Sequence, residues 1–262
     1  MIIRGMGWRG IKAWSLAALL LGASGTARAQ DEALTSSDGW QFQLSPYLWA
    51  AGLQGDVGTR SNLPTVKVDA DFDDIISDTD FALMLAGDAR HGRFGVLGDL
   101  VYLSLSDSNA TPGGLFGGVE ADMDTTFLTV APYYRAIDDR SVALDVFAGG
   151  RLWYVDTKIK ALAGRLPERS DGESQTWLDP ILGVRGQAVL GRGFSITASA
   201  DAGGFGVGSE FTWQLVGTVD YEIRDWIAVR AGYRHLDVDY KEDGFTWDVA
   251  LSGPIVGVTF RF

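Results

Sequence analysis

Long stretches of alternating apolar and polar residues recur through most of this chain, and they constrain its fold more than any other feature. In residues 211–223, Leu215 and Val219 fall on one face of an extended strand, and Gln214 and Thr218 fall on the opposite face. An ordinary soluble strand has about 5–6 residues, whereas a tilted strand that crosses a bilayer needs about 9–11. Most of the alternating stretches reach the greater length, so the sequence predicts an all-β protein built from long strands.

The connections between these strands alternate between short and long. Tight turns are predicted at residues 91–95, 136–140, 191–193 and 224–226, and longer polar links at 52–78, 107–120, 158–173, 205–209 and 241–245. Transmembrane barrels have short periplasmic turns and longer loops on the other side. We therefore expect an up-and-down, antiparallel transmembrane β-barrel of ten strands, with eight or twelve strands as alternatives and both termini periplasmic. The predicted strands are residues 40–51, 79–90, 94–106, 121–137, 141–157, 174–190, 193–204, 210–224, 226–240 and 246–262.

The first 29 residues carry the features of a secretory signal peptide. Arg4, Arg9 and Lys12 give a positively charged start, residues 13–21 form a short apolar core, and residues 27–29 read Ala-Arg-Ala. We expect cleavage before residue 30, which leaves residues 30–262 as a single barrel domain.

Charge and cysteine content exclude several classes of function. The formal net charge is −12 at pH 7, so we expect no nucleic-acid partner. The sequence contains no cysteine, which excludes disulfides, thiolate metal sites and a cysteine nucleophile.

Aromatic residues concentrate near the ends of the predicted strands. Rings in such places can lie at the level of the lipid headgroups and form two girdles around a membrane barrel. We expect this role for Trp40, Trp49, Trp177, Trp213, Tyr221, Trp226, Tyr240, Trp247, Phe260 and Phe262.

The last predicted strand carries a Gly-x-x-aromatic-x-aromatic pattern at Gly257, Phe260 and Phe262. With the long strands and alternating loops, this pattern resembles the outer-membrane β-barrel proteins of Gram-negative bacteria, most of all the small opacity/OmpA-like barrels. The polar residue that usually stands two positions before the glycine is Ile255 here. The resemblance implies an outer-membrane location, contact with membrane lipid and lipopolysaccharide, and a signal read by the barrel-assembly machinery. It implies a fold and no particular activity, and any external ligand stays unknown.

Polar faces of the predicted strands bring many charges into the lumen. Because a ten-stranded barrel is narrow and buried charges must pair, we expect a lumen largely plugged by ion pairs. Antiparallel pairing through the turn at Asp225 predicts an inward ion pair between Asp220 and Arg230, shared with Asp248. The expected lumen charges are Asp88, Asp99, Asp145, Asp201, Asp220, Glu222 and Asp248, with Arg90, Arg135, Arg151, Arg185, Arg230, Arg234 and Arg261.

The first long link is acidic. Four of its aspartates follow the spacing of positions 1, 3, 5 and 12 in a calcium-binding loop, but Asp74 stands where that loop needs glycine. We therefore predict no metal site and no cofactor, and keep as candidate ligands only Asp69, Asp71, Asp73 and Asp80.

His235 and Asp237, near the end of the ninth predicted strand, resemble the Asp/His pair of the omptin proteases, which are also ten-stranded barrels. A membrane lipase would need a serine beside the histidine, and no His-x-Ser sequence occurs. Our leading interpretation is a non-enzymatic outer-membrane barrel with a structural or surface-binding role. The alternatives are a narrow porin-like channel for small solutes or ions and an omptin-like protease at the rim.

Overall fold

The structure is a computed structural model, and it describes residues 39–58, 66–70, 79–109, 118–164 and 169–262. The predicted signal peptide, residues 1–29, lies outside the described residues. Within the described ranges, no helix is long and apolar enough to cross a membrane.

The described chain forms twelve strands in one antiparallel sheet. They are β1 (Trp40–Trp49), β2 (Gly52–Gly58), β3 (Val66–Ala70), β4 (Thr79–His91), β5 (Phe94–Asn109), β6 (Gly118–Asp138), β7 (Val142–Leu162), β8 (Arg169–Gly191), β9 (Phe194–Gly203), β10 (Phe211–Arg224), β11 (Ile227–Glu242) and β12 (Phe245–Arg261).

The barrel wall has ten strand positions. β1 and β2 are two halves of one wall strand, because both pair with β12 in the same register on either side of a break at residues 50–51. β3 pairs only with β2 among the described strands, on the side of β2 that corresponds to the side of β1 on which β4 pairs, so β3 continues the wall position of β4 towards the loop end. The pairing of β1 with β12 closes the barrel, so the prediction of a closed, ten-stranded, up-and-down barrel is confirmed.

The two ends of the barrel differ, and we call them the turn end and the loop end. At the turn end lie both the start of β1 and the last residue, where the backbone amide of Phe262 donates to the carbonyl of Phe42 over 2.9 Å. Four tight turns share that end, between β4 and β5, β6 and β7, β8 and β9, and β10 and β11. At the loop end two predicted links are wrong. The link predicted at 52–78 contains the strands β2 and β3. The link predicted at 241–245 is a two-residue turn at Asp243 and Gly244, both with positive φ, because β11 and β12 extend further than expected.

Near the turn end, apolar residues face outward and polar residues face inward, as predicted. Leu215 and Val219 on β10 are half exposed on the outer surface, whereas Thr218 and Asp220 are buried in the lumen. An outward girdle of rings surrounds this end. It includes the pairs Trp40–Phe42, Phe94–Tyr134, Phe194–Tyr221 and Trp226–Phe260.

Towards the loop end the polarity of the two faces reverses. On β11, Leu236, Val238 and Tyr240 point inward and are buried, while the intervening Asp237 and Asp239 point outward. The predicted girdle position is therefore wrong for four residues, whose rings fill the lumen: Trp49, Trp177, Tyr240 and Trp247. A barrel wall that continues beyond the membrane meets water outside, so it packs an apolar core inside as a soluble barrel does.

Candidate functional site

The barrel interior contains the largest assembly of buried polar groups, and Arg234 lies at its centre. This arginine reaches from β11 to the far wall, where Nη2 pairs with Asp99 Oδ2 on β5 at 2.7 Å. Its Nη1 donates to the Tyr47 hydroxyl on β1 over 2.7 Å, and that hydroxyl donates to Asp99 Oδ1 over 2.6 Å. The guanidinium carbon also lies 4.6 Å from the centre of the Trp49 ring. One side chain therefore connects opposite walls of the lumen.

The same network continues around the lumen. Arg234 Nε donates to Gln214 Oε1 over 3.0 Å, and Gln214 Nε2 donates to Asp201 Oδ2 over 3.0 Å. Asp201 Oδ1 pairs with Arg151 Nη2 at 2.9 Å, and Arg151 Nε donates to Thr129 over 3.1 Å. We call these seven residues the lumen belt: Tyr47, Asp99, Thr129, Arg151, Asp201, Gln214 and Arg234. Arg151 is 0% exposed, so its charge is satisfied entirely by protein groups.

A second ionic network lies nearer the turn end. Arg185 on β8 crosses to β4, where Nη2 pairs with Asp88 at 2.8 Å, and it also pairs with Asp145 at 2.8 Å. Arg135 donates to the same Asp145 from the other side, with Nε 2.8 Å from Oδ1. The Tyr133 hydroxyl donates to Asp88 over 2.9 Å. Two separate layers of charge thus span the lumen.

The predicted pairing of Asp220 with Arg230 is confirmed. The two residues are directly opposite in the register of β10 and β11, and Arg230 Nε lies 2.7 Å from Asp220 Oδ1. The predicted contribution of Asp248 is wrong. Its carboxylate lies on the outward face of β12, between the inward Trp247 and Val249, and pairs with Lys241 Nζ at 3.3 Å.

The remaining predicted lumen charges lie at the turn-end rim. Glu222 is exposed there and pairs with Arg261, and the buried Arg90 donates to Gln41.

Beyond the lumen belt, on the loop-end side, aromatic rings fill the interior. The ring centres of Phe127 and Trp153 are 4.8 Å apart, and those of Trp153 and Trp177 are 5.5 Å apart. Trp177 on β8 stacks on Tyr240 on β11 at 4.0 Å with an interplanar angle of 6°, and Tyr240 meets Phe245 at 6.0 Å. We call these five rings the aromatic plug. Their exposed fractions are 5% or less, so the plug leaves little room for water.

Sequence reasoning missed one buried acid, Asp179 on β8. The structure places it at 0% exposure, where it accepts hydrogen bonds from the Ser209 amide over 2.6 Å and the Ser209 hydroxyl over 2.8 Å. Ser209 belongs to the link between β9 and β10, so this acid holds that link against the barrel interior. The alternation of Trp177, Asp179 and Ile181 on one face was the available signal.

The candidate protease pair does not lie in a cleft. His235 and Asp237 share one face of β11, as predicted, but it is the outward face, since the inward positions are Arg234, Leu236 and Val238. Of the candidate metal ligands, Asp71 and Asp73 lie outside the described residues, and Asp69 accepts a hydrogen bond from Gln54 over 3.0 Å. The side chain of Asp80 is likewise not described. In the described ranges, no cluster of three His, Asp or Glu side chains could hold a metal.

Solved structures with a similar fold are outer-membrane barrels. The outer membrane protease OmpT from Escherichia coli has a TM-score of 0.51 at 9% identity, with 89% of this chain and 100% of that chain covered. Ail, the attachment invasion locus protein of Yersinia pestis, has a TM-score of 0.37 at 13% identity, with 86% and 100% covered. A major outer membrane protein from Thermus thermophilus has a TM-score of 0.40 at 14% identity, with 84% and 99% covered.

No protein-family model and no curated protein matches the sequence. The fold is that of an outer-membrane β-barrel, and at these identities the likeness carries no statement about activity.

Proposed function

We propose that this protein is an outer-membrane barrel with a closed lumen, which acts through its surfaces as a structural element of the envelope or as a binding surface for external partners. The observation that supports this most is closure at two heights. The lumen belt joins β11 to β5 across the interior, and the aromatic plug joins β8 to β11 above it. A water-filled conduit needs a continuous polar path, which the buried rings of the aromatic plug interrupt.

Membrane location is part of this proposal. The outward apolar surface and the ring girdle at the turn end match the surface that a transmembrane barrel shows to lipid. In this proposal the turn end and both termini are periplasmic, the loop end contacts lipopolysaccharide, and the barrel-assembly machinery reads Gly257, Phe260 and Phe262. Cell fractionation tests the location, and recovery in the soluble periplasmic fraction would contradict it.

The narrow channel remains the competing hypothesis, and conductance separates the two. Purified protein inserted into a planar bilayer should give no steady ion current at moderate voltage. A stable open level in the wild-type protein would overturn the closed-lumen proposal and favour the channel. The omptin-like protease receives no support from the geometry, because His235 and Asp237 face outward and away from the barrel mouth.

A further inference from the structure

A serine and a histidine form a close pair on the outward face of the barrel, separate from the interior networks. His235 on β11 and Ser252 on β12 are directly opposite in the antiparallel register. The histidine Nδ1 and the serine Oγ are 2.5 Å apart. A serine hydroxyl becomes an effective nucleophile when an adjacent histidine takes its proton, and such pairs are recognised by geometry and not by sequence spacing. The absence of a His-x-Ser sequence therefore does not decide the matter, because the serine comes from the neighbouring strand.

The serine–histidine pair lies at a defined height along the barrel axis, relative to the apolar outer surface. Along β10 the outward apolar residues run from Ile223 through Leu215 to Trp213 and Phe211, and the part from Ile223 to Leu215 spans roughly 20 Å at about 3.3 Å per residue and a tilt of about 40°. The apolar band of an outer-membrane barrel is about 25 Å tall. Leu215 is the direct neighbour of His235 in the register, so the pair lies in the upper part of that band.

Outward residues on either side of the pair mark the same boundary. Towards the turn end lie Tyr233 and Val256, which are 55% and 53% exposed. Towards the loop end lie Asp237, Asp239 and Asp248. In a bilayer this row meets the region between acyl chains and headgroups, which is where the carboxylic esters of membrane lipids are found.

Two neighbours can orient the imidazole. The Trp213 ring on β10 lies 4.5 Å from the His235 ring at a tilt of 42°. Asp237 follows two residues later on the same face, about 7 Å along the strand, where its carboxylate accepts a hydrogen bond from the Trp213 side chain and interacts electrostatically with His235. A third group that orients the base and stabilises its protonated form is the usual companion of a serine–histidine pair.

We propose that Ser252 and His235 form a membrane-facing site that hydrolyses the carboxylic esters of lipids in the adjacent leaflet. Ser252 Oγ attacks the carbonyl carbon while His235 Nδ1 takes the hydroxyl proton. The bond from that carbon to the alcohol oxygen then breaks, and His235 returns the proton to the leaving oxygen. Water next gives a proton to His235 while its oxygen attacks the carbonyl carbon of the acyl-serine. The bond from that carbon to Ser252 Oγ then breaks, His235 returns the proton to Oγ, and the fatty acid leaves. Water is the only co-reactant.

The surface around the pair suggests the lipid class. An acyl chain can lie along the apolar surface below the pair, where Gly217 leaves open space beyond its Cα. The outward aspartates above the pair repel an anionic headgroup. We therefore expect a zwitterionic glycerophospholipid to be preferred over an anionic lipid. This activity is separate from lumen closure and is compatible with a barrel that conducts nothing.

The test uses the full-length protein reconstituted into phosphatidylethanolamine vesicles, with fatty acid release followed by mass spectrometry. Wild-type protein should release fatty acid, and Ser252→Ala and His235→Asn should each lose roughly 100-fold or more of that rate. Ser174→Ala is the matched control. It removes another outward serine near the loop end, which stands opposite Asp156 and not opposite a histidine, so it should keep the wild-type rate. A fluorophosphonate should label Ser252, and His235→Asn should suppress that label.

Two further measurements make the outcome decisive. Resistance of the barrel to unfolding in SDS shows whether each variant is folded. Parallel vesicles that contain an acylated disaccharide lipid distinguish the two possible sources of the ester. Release from either lipid that depends on Ser252 supports the proposal and identifies the source. Release from neither lipid, or an equal rate in folded Ser252→Ala, would overturn it and leave the pair as a cross-strand contact.

Discussion

At the scale of single residues, Arg151 shows what holds the lumen together. Its guanidinium is fully buried and contacts Asp201 at 2.9 Å and Thr129 at 3.1 Å. A buried ion pair is weak support for stability when it is compared with an apolar replacement, yet the loss of one partner leaves an uncompensated charge. The lumen belt therefore closes the lumen in one specific arrangement. Loss of one charged side chain of a belt ion pair leaves its partner buried without compensation.

A double-mutant cycle tests this dependence. Among the described residues, Arg151→Met leaves the buried Asp201 with Gln214 as its remaining donor, so it should lower the free energy of unfolding by about 3–5 kcal/mol. Combining it with Asp201→Leu should recover much of that loss, because no buried charge then remains without a partner. Urea unfolding in lipid vesicles measures both. Additive losses would show that the two side chains act independently.

Arg230 also faces the lumen, but its replacement should destabilise the barrel less than replacement of Arg151. Its side chain is 24% exposed, and Asp220 also accepts hydrogen bonds from Thr197 and Thr218, both over 3.2 Å. Arg230→Ala should therefore cost about 1–3 kcal/mol, less than Arg151→Met. The outward neighbour serves as control, since Val229→Leu should cost less than about 1.5 kcal/mol in the same unfolding experiment. Equal losses at Arg230 and Val229 would argue that Arg230 does not face the lumen.

At the scale of elements, β12 packs most closely against the break between β1 and β2. A Cβ at Gly253 would lie 1.9 Å from the Ala50 carbonyl oxygen, whereas a Cβ at Gly217 on β10 would meet nothing within 4 Å. The Ala50 amide donates to the Pro254 carbonyl over 2.9 Å, which keeps the two segments together across the break. The interrupted wall strand therefore depends on a residue without a side chain at position 253.

Matched glycine substitutions test this contact. Gly253→Ala must move backbone on one side of the seam and should cost about 1–3 kcal/mol, while Gly217→Ala should cost little. Unfolding midpoints of the two variants in lipid decide the question. A Gly253→Ala barrel with the wild-type midpoint would show that the break is free to move.

Each element also shows why the sequence predicted some features and not others. Alternation predicted the wall strands and the opposition of Asp220 and Arg230, because a period of two survives along a whole strand. It could not show where the polarity reverses, since that depends on how far the wall rises beyond the membrane. Asp248 was placed in the lumen for this reason, and Trp247 at the lipid surface. Ser252 was overlooked because its partner His235 lies on another strand.

At the scale of the whole molecule, the barrel has two interiors of opposite character. Near the turn end it is polar inside and apolar outside, and near the loop end it is apolar inside and polar outside. The reversal has one physical cause. The outer surface is apolar where it contacts lipid and polar where it contacts water, and the interior at each height has the opposite polarity. The row of His235 and Ser252 coincides with this change.

Tryptophan fluorescence in vesicles of brominated phospholipid tests this arrangement. Bromine quenches rings that contact acyl chains, and it should reach the outward Trp40 and Trp226, which are 63% and 57% exposed. It should not reach Trp153 inside the aromatic plug, which is 0% exposed. Trp226→Phe should therefore lower the quenched fraction of the total emission, and Trp153→Phe should raise it by removing a protected ring. Phenylalanine preserves an apolar ring at both positions, so the two variants are matched. If Trp153→Phe instead removes most of the quenching, the rings of the plug face lipid and the lumen is not closed by them.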